Sequence, residues 1–227
     1  MVGSRVTTPA SLGAPHAWRM GVRVGVDPGS KATGVIGAFG GTVAFAQVVS
    51  REDAKAAPWE DGTLTELEDT IADAYTATMK AATEAKYVVE HDGQHRQLWT
   101  SVPPVLAVEQ ITRPTGFPKG GTRDGRRQWP DPWPLMISTA LVATALAMGH
   151  RYPHAKVVSV APKGNGHSEY RHYPEALIAK TERRGNDWPV RPAGQSNVIR
   201  HCRSAWDVAT VGWMDMAHNY DGALYLN

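Results

Sequence analysis

Apolar and polar positions alternate in two distinct rhythms along the chain. The run Val22 to Asp27 (VRVGVD) is short and β-branched, Pro28-Gly29-Ser30 reads as a turn, and TGVIGAF and TVAFAQVV read as two more strands joined at Gly40-Gly41. These predict a three-stranded meander. The rhythm then changes to a helical one: Thr63-Leu64-Thr65-Glu66 has the form of a capping box, and Leu64, Leu67, Ile71, Ala74, Tyr75, Thr78 and Ala82 fall on one face. Two β-like runs follow, KYVVEHD and PVLAVEQ, separated by a polar stretch with His91, His95 and Arg96. Each carries a carboxylate at or near its end, and one of them is expected to be the next central strand.

The stretch RPTGFPKGGTRDGRRQWPDPWP is a loop by its Gly and Pro content, and an apolar helix from about Leu135 to Met148 stops at Gly149. KVVSVAP reads as a buried-type strand. Lys163 to Arg200 is irregular and basic with a short helix at PEALIAK, and SAWDVATVGWMDMAH starts and forms a last helix. The order β-β-β-α-β-α-β-α predicts an α/β fold, a mixed sheet with helices packed on its faces.

At 227 residues the chain can bury one sizeable core, so a single domain is expected over 21–227, with residues 1–20 as a flexible N-terminal extension. A 42% hydrophobic and 20% charged composition excludes a disordered or fibrous chain. One cysteine, Cys202, can make neither an intramolecular disulfide nor a cysteine zinc cluster, which points to a reducing, cytoplasmic setting. The N-terminal stretch lacks the apolar core of a signal peptide, and the longest apolar run, around ISTALVATALAMG, is shorter than the roughly 20 residues of a bilayer span. A core helix and no membrane partner are expected.

The net charge of +2 conceals an asymmetry. Ser50 to Asp92 holds eleven acidic residues against four basic, Arg113 to Arg127 five basic against one acidic, and Lys163 to Arg203 eight basic against four acidic. A single charge run is ordinarily a solvated face. Two basic loops flanking candidate carboxylates instead suggest a polyanionic partner.

Asp27 ends a predicted central strand before a Pro-Gly turn, where clefts open at a sheet rim. Alone, an aspartate in this setting is more simply read as a cap on the turn backbone. Its surroundings alter that balance. GVDPGSKATGVIG resembles the first motif of the RuvC family of Holliday-junction resolvases, a strand-end aspartate followed by Pro-Gly-Ser and a Thr-Gly opening the second strand. LAVEQ resembles the second motif, with Glu109 at a strand end, and RSAWDVATVG the C-terminal helix motif, with Asp207 near the helix start. The resemblance covers Val22 to Gly212, and SVAPKGNGHSEYRHYPEAL and RSAWDVA look more like the phage-encoded branch than the cellular one.

The resemblance implies a ribonuclease-H-like mixed five-stranded sheet with helices on both faces, and an endonuclease that cuts four-way or other branched DNA. It implies Mg²⁺ or Mn²⁺, two ions per site, with Asp27 bridging both and Glu109 and Asp207 completing one each. Hard divalent cations take oxygen ligands, and a pair about 4 Å apart can serve both the attacking water and the leaving oxyanion. It departs from the pattern at Ser204, where family members carry an acidic residue or a histidine three positions before the helix aspartate. The fourth ligand stays open among Ser204 through a water, His201 from the preceding turn, and Asp215. Asp215 ranks last, since eight helical residues place it roughly 12 Å along the axis. Glu90, in KYVVEHD, competes with Glu109.

Arg113, Lys119, Arg123, Arg126 and Arg127 in the Gly-rich loop are candidates to track phosphates. Lys163 in the APKGNG turn is either a cation near the scissile phosphate or a loop lysine, and His167 and His172 are expected to be exposed. Trp129, Trp133 and Trp206 could stack on bases, although Trp206 fits core packing better. Two symmetry-related cuts would call for a homodimer, and the Ala-rich helix suits either core or dimer interface. Other readings keep the fold but change the substrate to a hybrid or flap, or make the chain a non-catalytic junction binder. A sugar-kinase or Hsp70-type ATP-binding protein also places Asp-x-Gly after a first strand, but its second phosphate loop is missing here.

Overall fold

The computed structural model describes residues 21–53, 56–85, 88–91, 94–97, 103–111, 132–162, 165–166, 172–178 and 196–219. Three strands, β1 (Val22–Asp27), β2 (Ala32–Phe39) and β3 (Thr42–Ser50), lead into α1 (Thr63–Glu84). A short pair, β4 (Val88–His91) and β5 (Gln94–Gln97), precedes β6 (Val105–Glu109), α2 (Trp133–Ala147), β7 (Lys156–Val160) and α3 (Ser196–Asn219).

The main sheet has the order β3-β2-β1-β6-β7. β1 pairs antiparallel with β2, and β2 with β3, whereas β6 and β7 run parallel to β1. A five-stranded mixed sheet covered by helices on both faces is the α/β arrangement expected. KYVVEHD contributes β4 to a separate two-stranded hairpin with β5, so β6, carrying LAVE, is the central strand.

Both faces of the central strands are apolar, and the parity of each residue assigns it to a helix layer. Val24, Val26, Leu106 and Val108 share a cluster with Leu67, Ile71 and Ala74 of α1 and with Ile137, Leu141 and Ala145 of α2. Val105, Ala107, Ile36 and Ala38 face the other way, against Ala205, Trp206, Val208, Ala209 and Trp213 of α3. Arg23, on the α3 side, is fully buried; its guanidinium donates to the Gly40 carbonyl at 2.7 Å and lies 4.8 Å from the Trp206 ring.

α3 approaches the sheet closely because two strand residues lack side chains. A Cβ on Gly25 would stand 2.0 Å from the Ala205 carbonyl oxygen, and one on Gly34 would stand 2.2 Å from that of His201. Both distances are far inside van der Waals contact, so only glycine admits the helix at this depth.

Several expected features differ. α1 has no Thr63 cap: Gly62 precedes the helix, and the Asp61 carboxylate accepts the Thr63 N–H at 2.9 Å. α3 begins at Ser196, two turns before the expected start, because Cys202 and Ala205 pack on β2 and hold a stretch of weak intrinsic helix propensity in helix. β7 is an edge strand with exposed positions rather than a buried one, Val157 being 39% exposed. α2 buries one stripe, Ile137, Leu141, Ala145 and the following Met148, and exposes Leu135 and Met136. With the 3-10 turn that continues it to Arg151, it is long and apolar enough to cross a membrane by length and composition, which the shorter expected run was not. Its buried stripe covers the sheet, and Arg151 donates to Glu68 of α1 at 2.8 Å.

Candidate active site

Register brings the first two carboxylates together. β1 and β6 pair with Val26 opposite Val108, so Asp27 and Glu109, each one residue further on, end adjacent parallel strands side by side. Both have the parity of Gly25 and Ala107, and therefore project to the α3 side of the sheet. Across from them, α3 presents His201, Ser204 and Asp207, each three residues from the next. Asp207 lies in the middle of the helix, not near its start, and His201 belongs to the helix rather than to a preceding turn.

His201 Nδ1 lies 2.9 Å from Asp27 Oδ2, with the two side chains only 19% and 13% exposed. Asp27 also hydrogen-bonds Glu109 and Ser204. Burial by itself would raise the Asp27 pKa, but the hydrogen bonds from His201, Glu109 and Ser204 and the charge of His201 hold it below the ordinary aspartate value. Glu109 moves the other way, to about 8: burial raises it first, then the hydrogen bond and charge of Asp27, with Asp207 adding to the same side. Two carboxylates this close cannot both ionise freely, so in the absence of a cation one proton stays on Glu109.

A turn after β7 closes the site. The Asn165 amide donates to Glu109 Oε1 at 2.7 Å, and the Gly166 backbone N–H donates to Asp207 Oδ2 at 2.8 Å. Gly166 has φ of 76°, the left-handed conformation that suits glycine, and a Cβ there would meet Ser204 at 3.2 Å. The Tyr173 hydroxyl donates to the same Asp207 oxygen at 2.7 Å, its ring backed by the Arg203 guanidinium at 5.9 Å. Each of the three carboxylates thus has a donor fixing one of its oxygens.

The residues singled out in the sequence fall into three groups. Asp27, Glu109, Asp207 and buried Ser204 converge, and His201 joins them. Glu90 lies on the β4–β5 hairpin outside the main sheet, Asp215 and His172 are exposed, and Trp206 is buried in the core. Arg113, Lys119, Arg123, Arg126, Arg127, Lys163, His167 and Trp129 lie outside the described residues, as does the 1–20 extension. Asn165, Gly166 and Tyr173 were not singled out. The Asn-Gly dipeptide two residues after Lys163 was the available signal for a tight turn at a strand end. Nothing local marks Tyr173.

The donors suit a hard divalent cation: carboxylate oxygens, with Glu109 pushed up in pKa by burial and by the neighbouring Asp27. Among the described residues, however, no three His, Cys, Asp or Glu side chains are drawn tightly enough to enclose an ion. Asp27 and Glu109 fit as a pair, with Asp207 held at the margin by Gly166 and Tyr173. No family model matches the chain, and no curated protein matches it. Among solved structures it is similar to T. thermophilus RuvC in complex with Holliday junction substrate, at 11% sequence identity and a TM-score of 0.37, with 82% of this chain and 89% of that chain covered.

Proposed function

We propose that the chain is a metal-dependent endonuclease that hydrolyses a phosphodiester in branched DNA, with a four-way junction as its substrate. The observation that carries this reading is the in-register pair Asp27 and Glu109, facing Asp207 across the α3 layer. The order and wording of the three motifs GVDPGSKATGVIG, LAVEQ and RSAWDVATVG support it.

Asp27 and Glu109 would hold Mg²⁺ or Mn²⁺, and Asp207 would complete the site. The ion supplies a water of lowered pKa and charge for the leaving oxyanion. With a cation held at this pair, Glu109 would be favoured as the carboxylate, because a nearby positive charge opposes the burial and the Asp27 charge that raise its pKa. His201 keeps Asp27 turned toward the cleft, Asn165 does the same for Glu109, and Tyr173 with the Gly166 N–H does so for Asp207. His201 thereby takes up the place left by Ser204, as an orienting partner of Asp27. The basic residues between Arg113 and Arg127 would meet the phosphates, and a C2 dimer would present two copies of the site.

The test is cleavage of a synthetic four-way junction with and without Mg²⁺, beside a flap and an RNA–DNA hybrid. The junction should be cut in preference, and Asp27→Asn should bind it without cutting. Preferential cleavage of the hybrid or flap would move the assignment to another nuclease specificity.

A further inference from the structure

The three carboxylates meet at one rim on unequal terms. Asp27 and Glu109 end adjacent parallel strands and hydrogen-bond each other, whereas Asp207 reaches them from the middle of α3. Each has one oxygen already engaged. His201 Nδ1 lies 2.9 Å from Asp27 Oδ2, the Asn165 amide donates to Glu109 Oε1 at 2.7 Å, and Asp207 Oδ2 accepts both the Gly166 N–H at 2.8 Å and the Tyr173 hydroxyl at 2.7 Å. A carboxylate oxygen offers about two lone-pair directions, so two donors fill Asp207 Oδ2.

The donors to Asp207 belong to packed structure. Gly166 holds its left-handed turn against α3, where a Cβ would meet the Ser204 side chain at 3.2 Å. Tyr173 is buried, and the fully buried Arg203 behind its ring donates to the Leu177 carbonyl at 3.2 Å. Turning Asp207 Oδ2 toward an ion would forfeit both hydrogen bonds in a buried setting, where an unmet donor is costly.

Two ions arranged as the resemblance to the resolvases implies, with Asp27 on both and Glu109 and Asp207 on one each, need four carboxylate-to-ion contacts. Three engaged oxygens leave at most three others, and Asp27 cannot give each ion an oxygen of its own. Charge points the same way. Ser204, buried and three residues before Asp207, puts a hydroxyl where a carboxylate would add a fourth negative charge. Two divalent ions would bring four positive charges to three carboxylates, and an uncompensated charge in a largely buried site is strongly disfavoured. One ion brings two, matched by Asp27 and Glu109. Among the described residues no three His, Cys, Asp or Glu side chains enclose an ion, which suits an Mg²⁺ held by two carboxylates and otherwise by water. We infer that this site holds a single divalent ion, seated on the paired Asp27 and Glu109, with Asp207 bordering it and Ser204 standing where a second ion would need a charge. The inference rests on the nuclease reading above and departs from the two ions that the resemblance implies.

Mn²⁺ binding to the full-length chain, followed by equilibrium dialysis and by electron paramagnetic resonance, reads the count without any cutting. The wild type should take up about one Mn²⁺ per protomer and give the spectrum of an isolated ion. Ser204→Asp, which supplies the missing charge, should take up about two and show coupling between neighbouring ions. Ser204→Asn, similar in size and uncharged, should stay at about one, with near-UV circular dichroism showing both variants folded. The rate of junction cleavage by the wild type should rise with about the first power of free Mg²⁺.

Two coupled ions in the wild type, or a rate that rises with about the square of free Mg²⁺, would overturn the single-ion site and leave the nuclease reading intact. A folded Ser204→Asp that stays at one ion would overturn the part given to Ser204. If that variant does not fold, the wild-type count decides alone. One bound ion without cutting would uphold the count and overturn the nuclease reading, and absence of both Mn²⁺ uptake and cutting would overturn both.

Discussion

Glu109 titrates where carboxylates seldom do, and its proton makes stability depend on pH. Its folded pKa, near 8, lies above the ordinary value of 4.5, so the folded chain holds a proton that the unfolded chain releases across that interval. The stabilisation is complete below the unfolded pKa and is lost as pH rises through the folded one. In chelator, thermal unfolding of the wild type should therefore fall from pH 5 to pH 8 more steeply than that of Glu109→Gln. Mg²⁺ should reverse the trend, raising the midpoint more at pH 8 than at pH 5, because at the lower pH it must displace the proton. A midpoint insensitive to Mg²⁺ at both pH values would contradict a cation site at Asp27 and Glu109. His201 acts through Asp27, so His201→Ala should weaken Mn²⁺ binding about 10- to 100-fold in calorimetry while the chain stays folded. The carboxylates themselves were readable because each ends or lines an element with a recognisable string around it. Asn165, Gly166 and Tyr173 were not, since the contacts that give them meaning, to Glu109 and Asp207, span from 34 to 56 residues.

At the scale of elements, α3 governs the site. It carries His201, Ser204 and Asp207, and its depth is set by Gly25 and Gly34. Gly25→Ala would force its methyl into the Ala205 carbonyl, and overpacking of this kind costs about 1–3 kcal/mol. Urea unfolding should register that loss, and the displaced helix should reduce cleavage beyond what the loss of folded protein explains. Gly41→Ala, with nothing within 4 Å of the added Cβ, is the control and should change stability by less than about 0.5 kcal/mol. The strands of this framework were legible, since alternation and β-branching specify β1, β2, β3 and β6 locally. The start of α3 was not: Ser196 to Arg203 reads as loop, and only packing of Cys202 and Ala205 on the sheet makes it helix. The Thr63 capping box failed for a related reason, because Asp61, anchored by Arg51, occupies the capping role from outside the motif.

At the scale of the whole molecule, a mixed sheet in the order β3-β2-β1-β6-β7 ends β1 and β6 side by side, so that residues from positions 27 and 109 meet position 207 of α3 at one rim. Resolving a junction needs two such sites, and the proposed C2 dimer predicts paired nicks on strands of like polarity at symmetric positions, visible by end-labelling each strand. Metal-dependent cleavage at Asp27 is tested by comparing the purified chain with Asp27→Asn on a synthetic four-way junction, with Mg²⁺ and with chelator. The wild type should cut only with Mg²⁺, and Asp27→Asn should bind the junction without cutting it. Cleavage that survives chelation or the Asp27→Asn substitution would contradict metal-dependent cleavage at Asp27.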